Sequence, residues 1–320
     1  MFFDRCHALT TVEADNVIEC GNNAFLQCTS LENINMSKVE TIGQEAFMDC
    51  PLYNANFGHS ITSIAYRGFF RTSIVDIDLS NAKIIGDYAF NGCSSLTNIN
   101  TDLSNVTSFG IGAFYECKNL KGDFVLTNIT SIPRQLFYGC ENITSVDVSN
   151  AAYWEIYVYG GPFTNCKKLH TVILSPNLKT LCPRSFQNCS SLVNIDTSHI
   201  ETYDDTGPCN FMNCSSLQQI TLNEKVTKIP DGFASNCISL KEITIPANVT
   251  YIGGDAFKGC TSLQKVTILA TTPPELRSRN TFEYPSSYPI YVPAESVELY
   301  KAADTWNSYA SGRIQAIPTT

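Results

Sequence analysis

Fourteen cysteines and four histidines are the side chains with most chemistry to offer in this 320-residue chain. Eleven of the cysteines sit in one recurring slot: Cys6, Cys28, Cys50, Cys93, Cys117, Cys140, Cys166, Cys189, Cys214, Cys237 and Cys260. Stacked copies of a repeat place equivalent side chains about 4.8 Å apart with parallel Cα–Cβ vectors. A disulfide needs Cβ atoms about 3.8 Å apart and converging. The slot is therefore expected to hold reduced thiols that act as small hydrophobes. Cys20 matches another core position. Cys182 and Cys209 fall outside the ladder, and a bond between them is left open. His7, His59, His170 and His199 share no slot, so the pattern assembles no histidine-based catalytic set. No phosphate-binding glycine loop, zinc-type cysteine pair or nucleophile motif occurs. We expect no enzyme, no cofactor and no resident metal.

Oxygen-bearing side chains recur in pairs: Asn33 and Asn35, Asn54 and Asn56, Asp76 and Asp78, Asn98 and Asn100, with Ser145 and Asp147 and then Asn194 and Asp196 further on. Each pair flanks an apolar residue, the spacing of outward positions on a strand. Stacked, they form two polar rows. Such rows can offer oxygens to Ca²⁺, or the amides can hydrogen-bond to one another along the stack. Calcium wants six to eight converging oxygens, whereas a sheet spreads them, which favours the second reading.

Tyr153, Trp154, Tyr157 and Tyr159 cluster in one stretch. Aromatic residues on a loop suit an interface, with Trp154 and Tyr157 the strongest anchor candidates, or they pack an enlarged turn. Both readings stay open.

What must position these groups is a repeat. Phe3, Phe25, Phe47, Phe70, Phe90, Phe114, Phe137, Phe163, Phe186, Phe211, Phe233 and Phe257 recur at intervals averaging about 23 residues, with a cysteine three residues later in ten of the twelve units. Cys237 follows its Phe by four residues, and Ser73 stands in the slot once. A period in the twenties marks a solenoid, in which each unit buries its apolar side only against its neighbours. Within a unit, Phe and Cys lie on a tight turn after a small residue. Alternation such as Val266 and Ile268 marks a strand with one face buried, and a second apolar pair such as Val39 and Ile42 marks a return segment. The interval containing the aromatic cluster is 26 residues, three above the average.

The repetitive text runs over residues 1–272. Thr271-Thr-Pro-Pro274 then breaks it, because proline continues neither a ladder nor a helix. Residues 273–320 read as a small α/β cap: a degenerate thirteenth turn at Phe282, a strand at Ile290–Val292, an amphipathic helix over Pro293–Ala310 and a final strand after Arg313. Its expected task is to cover the open end of the stack.

A formal net charge of −9 without a basic stripe argues against nucleic acid. No run approaches the roughly 18 consecutive apolar residues of a membrane helix, so no membrane insertion is expected. No signal peptide is legible, and no polar cap precedes Phe3, so we expect a piece of a longer protein. Seven Asn-x-Ser/Thr sequons, among them Asn105 and Asn248, arise from the repeat consensus and matter only in a eukaryotic secretory host.

The unit Ala256-Phe257-Lys-Gly-Cys260-Thr-Ser-Leu263-Gln-Lys-Val266-Thr-Ile268 resembles the BspA-like class of bacterial leucine-rich repeats. The stretch Leu240-Lys-Glu-Ile243-Thr-Ile245-Pro246-Ala-Asn-Val249-Thr-Tyr-Ile252-Gly253 resembles it equally, and the tail from Pro289 to Ile317 is similar to the module that closes many such proteins. The resemblance implies a leucine-rich repeat of about twelve parallel-stranded units, placed at the cell surface or secreted, that binds a protein or glycan in an adhesion-type role. An architectural spacer that projects another domain is the alternative. A monomer is expected in either case.

Overall fold

The computed structural model describes residues 3–99, 103–207, 209–282 and 288–318. It is a parallel-strand β-solenoid with little helix. The chain divides into two compact units, residues 1–151 with 162–172, and residues 152–161 with 173–320.

In the first unit, Thr11–Glu13, Asn33–Asn35 and Asn54–Asn56 pair in parallel with Val12, Ile34 and Ala55 in register. A second parallel row joins Glu19–Cys20, Thr41–Ile42, Ser63–Ile64, Ile84–Ile85 and Ser108–Phe109. Gly122–Val125 and Ile143–Val148 pair further along. In the second unit, Asn194–Ile195 pairs with Gln219–Ile220, and Glu242–Ile245 with Lys265–Ile268. Its return segments pair Thr180–Leu181 with Thr202–Tyr203, and Lys228–Ile229 with Tyr251–Ile252 and Glu275–Leu276. Strands of two to six residues suffice because equivalent strands of neighbouring turns hold them in place.

The phenylalanine column forms, with three corrections to the sequence reading. From Phe3 to Phe137 consecutive rings stack at 5.3–5.4 Å with planes within 14° of parallel. That spacing exceeds the strand repeat, so the rings are offset, the arrangement their quadrupoles favour. First, Phe3 is 43% exposed, because among the described residues its ring has a stacking neighbour on one side only. Second, Phe69 and not Phe70 belongs to the column. Phe69 is fully buried and stacks on Phe47 and Phe90, while Thr72 and not Ser73 takes the cysteine slot. Third, Phe233 occupies the small-residue position and Ala234 the ring position. The Phe211 amide donates to the Phe233 carbonyl, as the Phe25 amide does to Ala46. Phe233 therefore meets Phe211 and Phe257 edge-on, at 86° and 71°.

Backbone conformation fixes these registers. Most turns place two residues in the left-handed region, one two before the ring position and one just before the cysteine slot. Glu45 and Asp49 bracket Phe47, Arg67 and Arg71 bracket Phe69, and Gly232 and Asn236 bracket Ala234, with φ between 52° and 60°.

All fourteen cysteines are free, including Cys182 and Cys209. The ladder thiols do more than fill space. Cys28, Cys50, Cys93, Cys117, Cys140, Cys166, Cys214, Cys237 and Cys260 each donate Sγ–H to the carbonyl at the ring position one turn earlier, over 2.8–3.2 Å. A cysteine thus stitches adjacent turns as well as packing between them.

Phe282 is buried and stacks on Phe257 at 5.5 Å, giving the thirteenth turn. The helix expected over Pro293–Ala310 is broken. A 3-10 turn at Ala294–Ser296 leads into the helix Val297–Ala302, and a second 3-10 turn spans Trp306–Tyr309. Ala303 is extended and Thr305 is left-handed at φ 67°. The break lets the Trp306 indole donate to the Pro274 carbonyl at 2.7 Å and the Tyr309 hydroxyl to that of Arg279. Tyr300, Trp306, Tyr309 and Phe282 then form one aromatic cluster. Ile290–Val292 and Ile314–Ala316 extend the parallel sheet beyond Lys265–Ile268.

Candidate interaction surface

The polar rows exist, and over the first three turns their side chains satisfy one another. In the first unit the Asn54 amide donates to the Asn33 side-chain oxygen, and the Asn56 amide to Asn35, each at 2.9 Å. Asn35 in turn donates to Glu13 at 3.0 Å. The in-register strands carry every donor and acceptor one turn along, which is why identical residues at one slot form a chain of hydrogen bonds. Asp76 and Asn98 are bridged in parallel, and Asn100 lies outside the described residues. Asp78 accepts the Ser80 amide at 2.8 Å and pairs with the His59 imidazole. Burial pushes the Asp78 carboxyl up, but the bonds from Ser80 and His59 outweigh that and hold it below its ordinary value. Among the described residues no three His, Cys, Asp or Glu side chains are grouped to hold a metal.

The aromatic stretch lies in the second unit and is split. Tyr153 and Tyr159 are 58% and 74% exposed, and Ile156, which sequence reasoning missed, is exposed beside them. Tyr157 is half-buried with its ring edge-on to Tyr159 at 5.6 Å. Trp154, one of the two anchor candidates, takes the packing alternative instead: it is 2% exposed and its ring packs 5.7 Å from Phe186. The reason is strand alternation, since Tyr153–Trp154 is a strand and neighbours on a strand face opposite ways. Ala151-x-x-Trp154 repeats the spacing Val39-x-x-Ile42, and that match was the available signal. The excursion is therefore anchored through Trp154 while Tyr153, Ile156 and Tyr159 face water. The Val158 carbonyl accepts the Arg184 guanidinium at 3.0 Å, a second tether.

Sequence reasoning also missed a polar cleft of the second unit, lined by Asp205, Lys228, Asp231, Tyr251 and Arg277. Lys228 and Tyr251 fill one outward slot of successive return strands, Asp205 and Asp231 each stand two residues after the buried strand residue, and Arg277 stands one after it, so the five are spread over three slots and no single periodicity advertises them.

No helix among the described residues is long and apolar enough to cross a membrane. A family profile described as BspA type leucine rich repeat region matches residues 1–75, 62–158 and 130–264, in six copies. No curated protein matches the chain in sequence. Among solved structures, the chain is similar to a leucine-rich repeat protein from Bacteroides ovatus, at 24% identity and a TM-score of 0.47 over 83% of this chain and 80% of that one. It is also similar to a leucine rich cell surface protein from Faecalibacterium prausnitzii, at 20% identity and a TM-score of 0.43 over 95% and 84%. The pneumococcal vaccine antigen PcpA aligns at 15% identity and a TM-score of 0.49 over 100% and 83%.

Proposed function

The chain belongs to the BspA-type leucine-rich repeat family, and from that premise we propose that it is a non-catalytic, adhesion-type module, displayed at the cell surface or secreted, that binds a protein. One observation carries the reading. Tyr153, Ile156 and Tyr159 stand exposed on a short excursion whose neighbour Trp154 is locked in the core. Anchored aromatic side chains lose little rotamer entropy on binding, which is what interface hot spots require. The amide rows of the first unit serve as a polar exterior, their hydrogen-bonding capacity largely spent within the stack. A net charge of −9 favours a basic or neutral partner and predicts weaker association as salt rises. We further propose that residues 273–320 close the repeat array, because their aromatic cluster seats on the last repeat through Phe282, whose ring stacks on Phe257 at 5.5 Å.

The test is an array of extracellular-matrix and serum proteins probed with the labelled full chain. Tyr153→Ala with Tyr159→Ala is expected to reduce binding to any captured protein about tenfold or more while leaving the thermal midpoint within about a degree. Trp154→Ala is expected to do the opposite first: it removes a buried ring and destabilises by about 3–5 kcal/mol. A captured partner that binds the double tyrosine variant as tightly as the parent would remove the excursion from the interface.

A further inference from the structure

The return-segment face of the second unit carries a cleft of about 440 Å³ lined by Asp205, Thr206, Gly207, Lys228, Pro230, Asp231, Tyr251 and Arg277. A neighbouring cleft of about 760 Å³ shares Asp231 and Arg277 and continues along Arg184, Gln187, Met212, Ser278 and Asn280. Both volumes lie within the span of small-molecule sites. About half of the first cleft's wall is polar, with Pro230 and the Tyr251 ring as its main carbon surface, which suits a ligand that mixes hydroxyls with C–H faces better than a wholly apolar one.

The charges narrow the ligand further. Lys228 Nζ lies 3.0 Å from Asp205, and the Arg277 guanidinium lies 2.8 Å from Asp231 and 3.4 Å from the Tyr251 hydroxyl. The second oxygen of Asp231 accepts the Gly254 amide at 2.7 Å. Two cations and two carboxylates are thus already paired, and the floor carries no net charge. An anion would have to compete with Asp205 or Asp231 for its cation, and a cation would have to displace Lys228 or Arg277. A neutral ligand rich in hydroxyls displaces nothing. The unused N–H groups of Lys228 and Arg277 donate to it, the free carboxylate lone pairs accept from it, and the half-exposed Tyr251 ring offers a face for its C–H surface.

The site is also held in place. Tyr251 and Lys228 lie on paired strands, Glu275–Leu276 brings Arg277 alongside, and Gly207 sits so close to Pro183 that an added Cβ would lie 3.0 Å from that ring. We propose that this face is a carbohydrate-binding site for a neutral saccharide, with Tyr251 as the stacking platform and Asp205, Lys228, Asp231 and Arg277 as the hydroxyl-reading groups. The adjoining cleft across the Arg277–Asp231 pair gives the site room for more than one sugar ring. The groups are exposed, so the site binds weakly, in the range that millimolar saccharide detects.

The proposal does not rest on the protein-binding excursion, and the two fail separately, because Tyr153 and Tyr159 line neither cleft. The test is a glycan array of neutral, sialylated and sulfated oligosaccharides probed with the full chain, followed by ligand-observed NMR with the neutral hits at millimolar concentration. Neutral oligosaccharides are expected to bind. Tyr251→Ala and Asp205→Asn are each expected to weaken binding about tenfold or more with an unchanged thermal midpoint, and Tyr251→Phe to retain most of it because the ring face remains. Tyr153→Ala with Tyr159→Ala is expected to bind the saccharide normally. Absence of any neutral hit at millimolar concentration, a preference for sialylated or sulfated glycans, or neutral binding indifferent to Tyr251→Ala and Asp205→Asn each overturns the assignment.

Discussion

Phe69→Ala and Phe70→Ala differ by one position in sequence, and the structure assigns them very different costs. Phe69 is fully buried; its ring stacks on Phe47 at 5.4 Å and on Phe90 at 5.3 Å and meets Phe57 edge-on at 5.1 Å. Truncating a buried Phe to Ala costs about 3–5 kcal/mol. Three aromatic partners are lost at once, each worth about 0.5–1.5 kcal/mol beyond area burial, which places Phe69→Ala near the top of that range. Phe70 is half-exposed, and its main specific contact is the Arg67 guanidinium 4.8 Å above the ring. A partly exposed cation–π contact is worth about 0.5–1 kcal/mol, so Phe70→Ala should cost about 1 kcal/mol. The expected gap is therefore about 3 kcal/mol. Urea denaturation of the full chain by circular dichroism measures it. Because solenoids can open locally, amide hydrogen exchange at Thr72 and Cys93 should accompany it. Phe69→Ala should speed exchange at both amides and Phe70→Ala should not. Equal costs, or a larger cost for Phe70→Ala, would refute the register assigned to this turn.

Alkaline stability offers a second check. Burial pushes the Cys50 and Cys260 thiols up from 9.0 to about 12 and Cys93 to about 11. A raised folded value means that the unfolded chain releases its protons first. The contribution is therefore whole below about pH 8.5 and is lost as pH climbs from about 9 towards 12. The thermal midpoint should be flat from pH 7 to 8 and fall steeply above pH 9, and Cys50→Ala with Cys93→Ala should flatten that fall. For the same reason a thiol reagent at pH 8 should modify only the half-exposed Cys6 rapidly in the native chain and all fourteen cysteines in denaturant. Gln135 has a φ of 59°, where a side chain is strained and glycine is not, so Gln135→Gly should stabilise by about 1 kcal/mol. A lower urea midpoint for that variant would count against the backbone argument.

The sequence by itself determined the solenoid, its period, its parallel stacking and the reduced state of its ladder cysteines. Each of these follows from a local pattern copied many times, and stacking identical units admits one answer for equivalent residues. It also located the amide rows, since period two puts Asn33 and Asn35 on one side of Ile34, and in-register pairing does the rest. What repetition cannot resolve is a shift of one residue, which on a strand or tight turn exchanges core for solvent. Phe69 against Phe70, and Phe233 against Ala234, were decided by where the backbone enters the left-handed region, a choice made jointly with the turns above and below. Trp154 went inward because its strand had one apolar slot to fill, and aromatic composition alone does not say which of two neighbours fills it. The saccharide cleft was invisible for a different reason. Asp205, Lys228, Asp231, Tyr251 and Arg277 span more than seventy residues and share no common slot, and only the stacking of successive turns brings their side chains to one place.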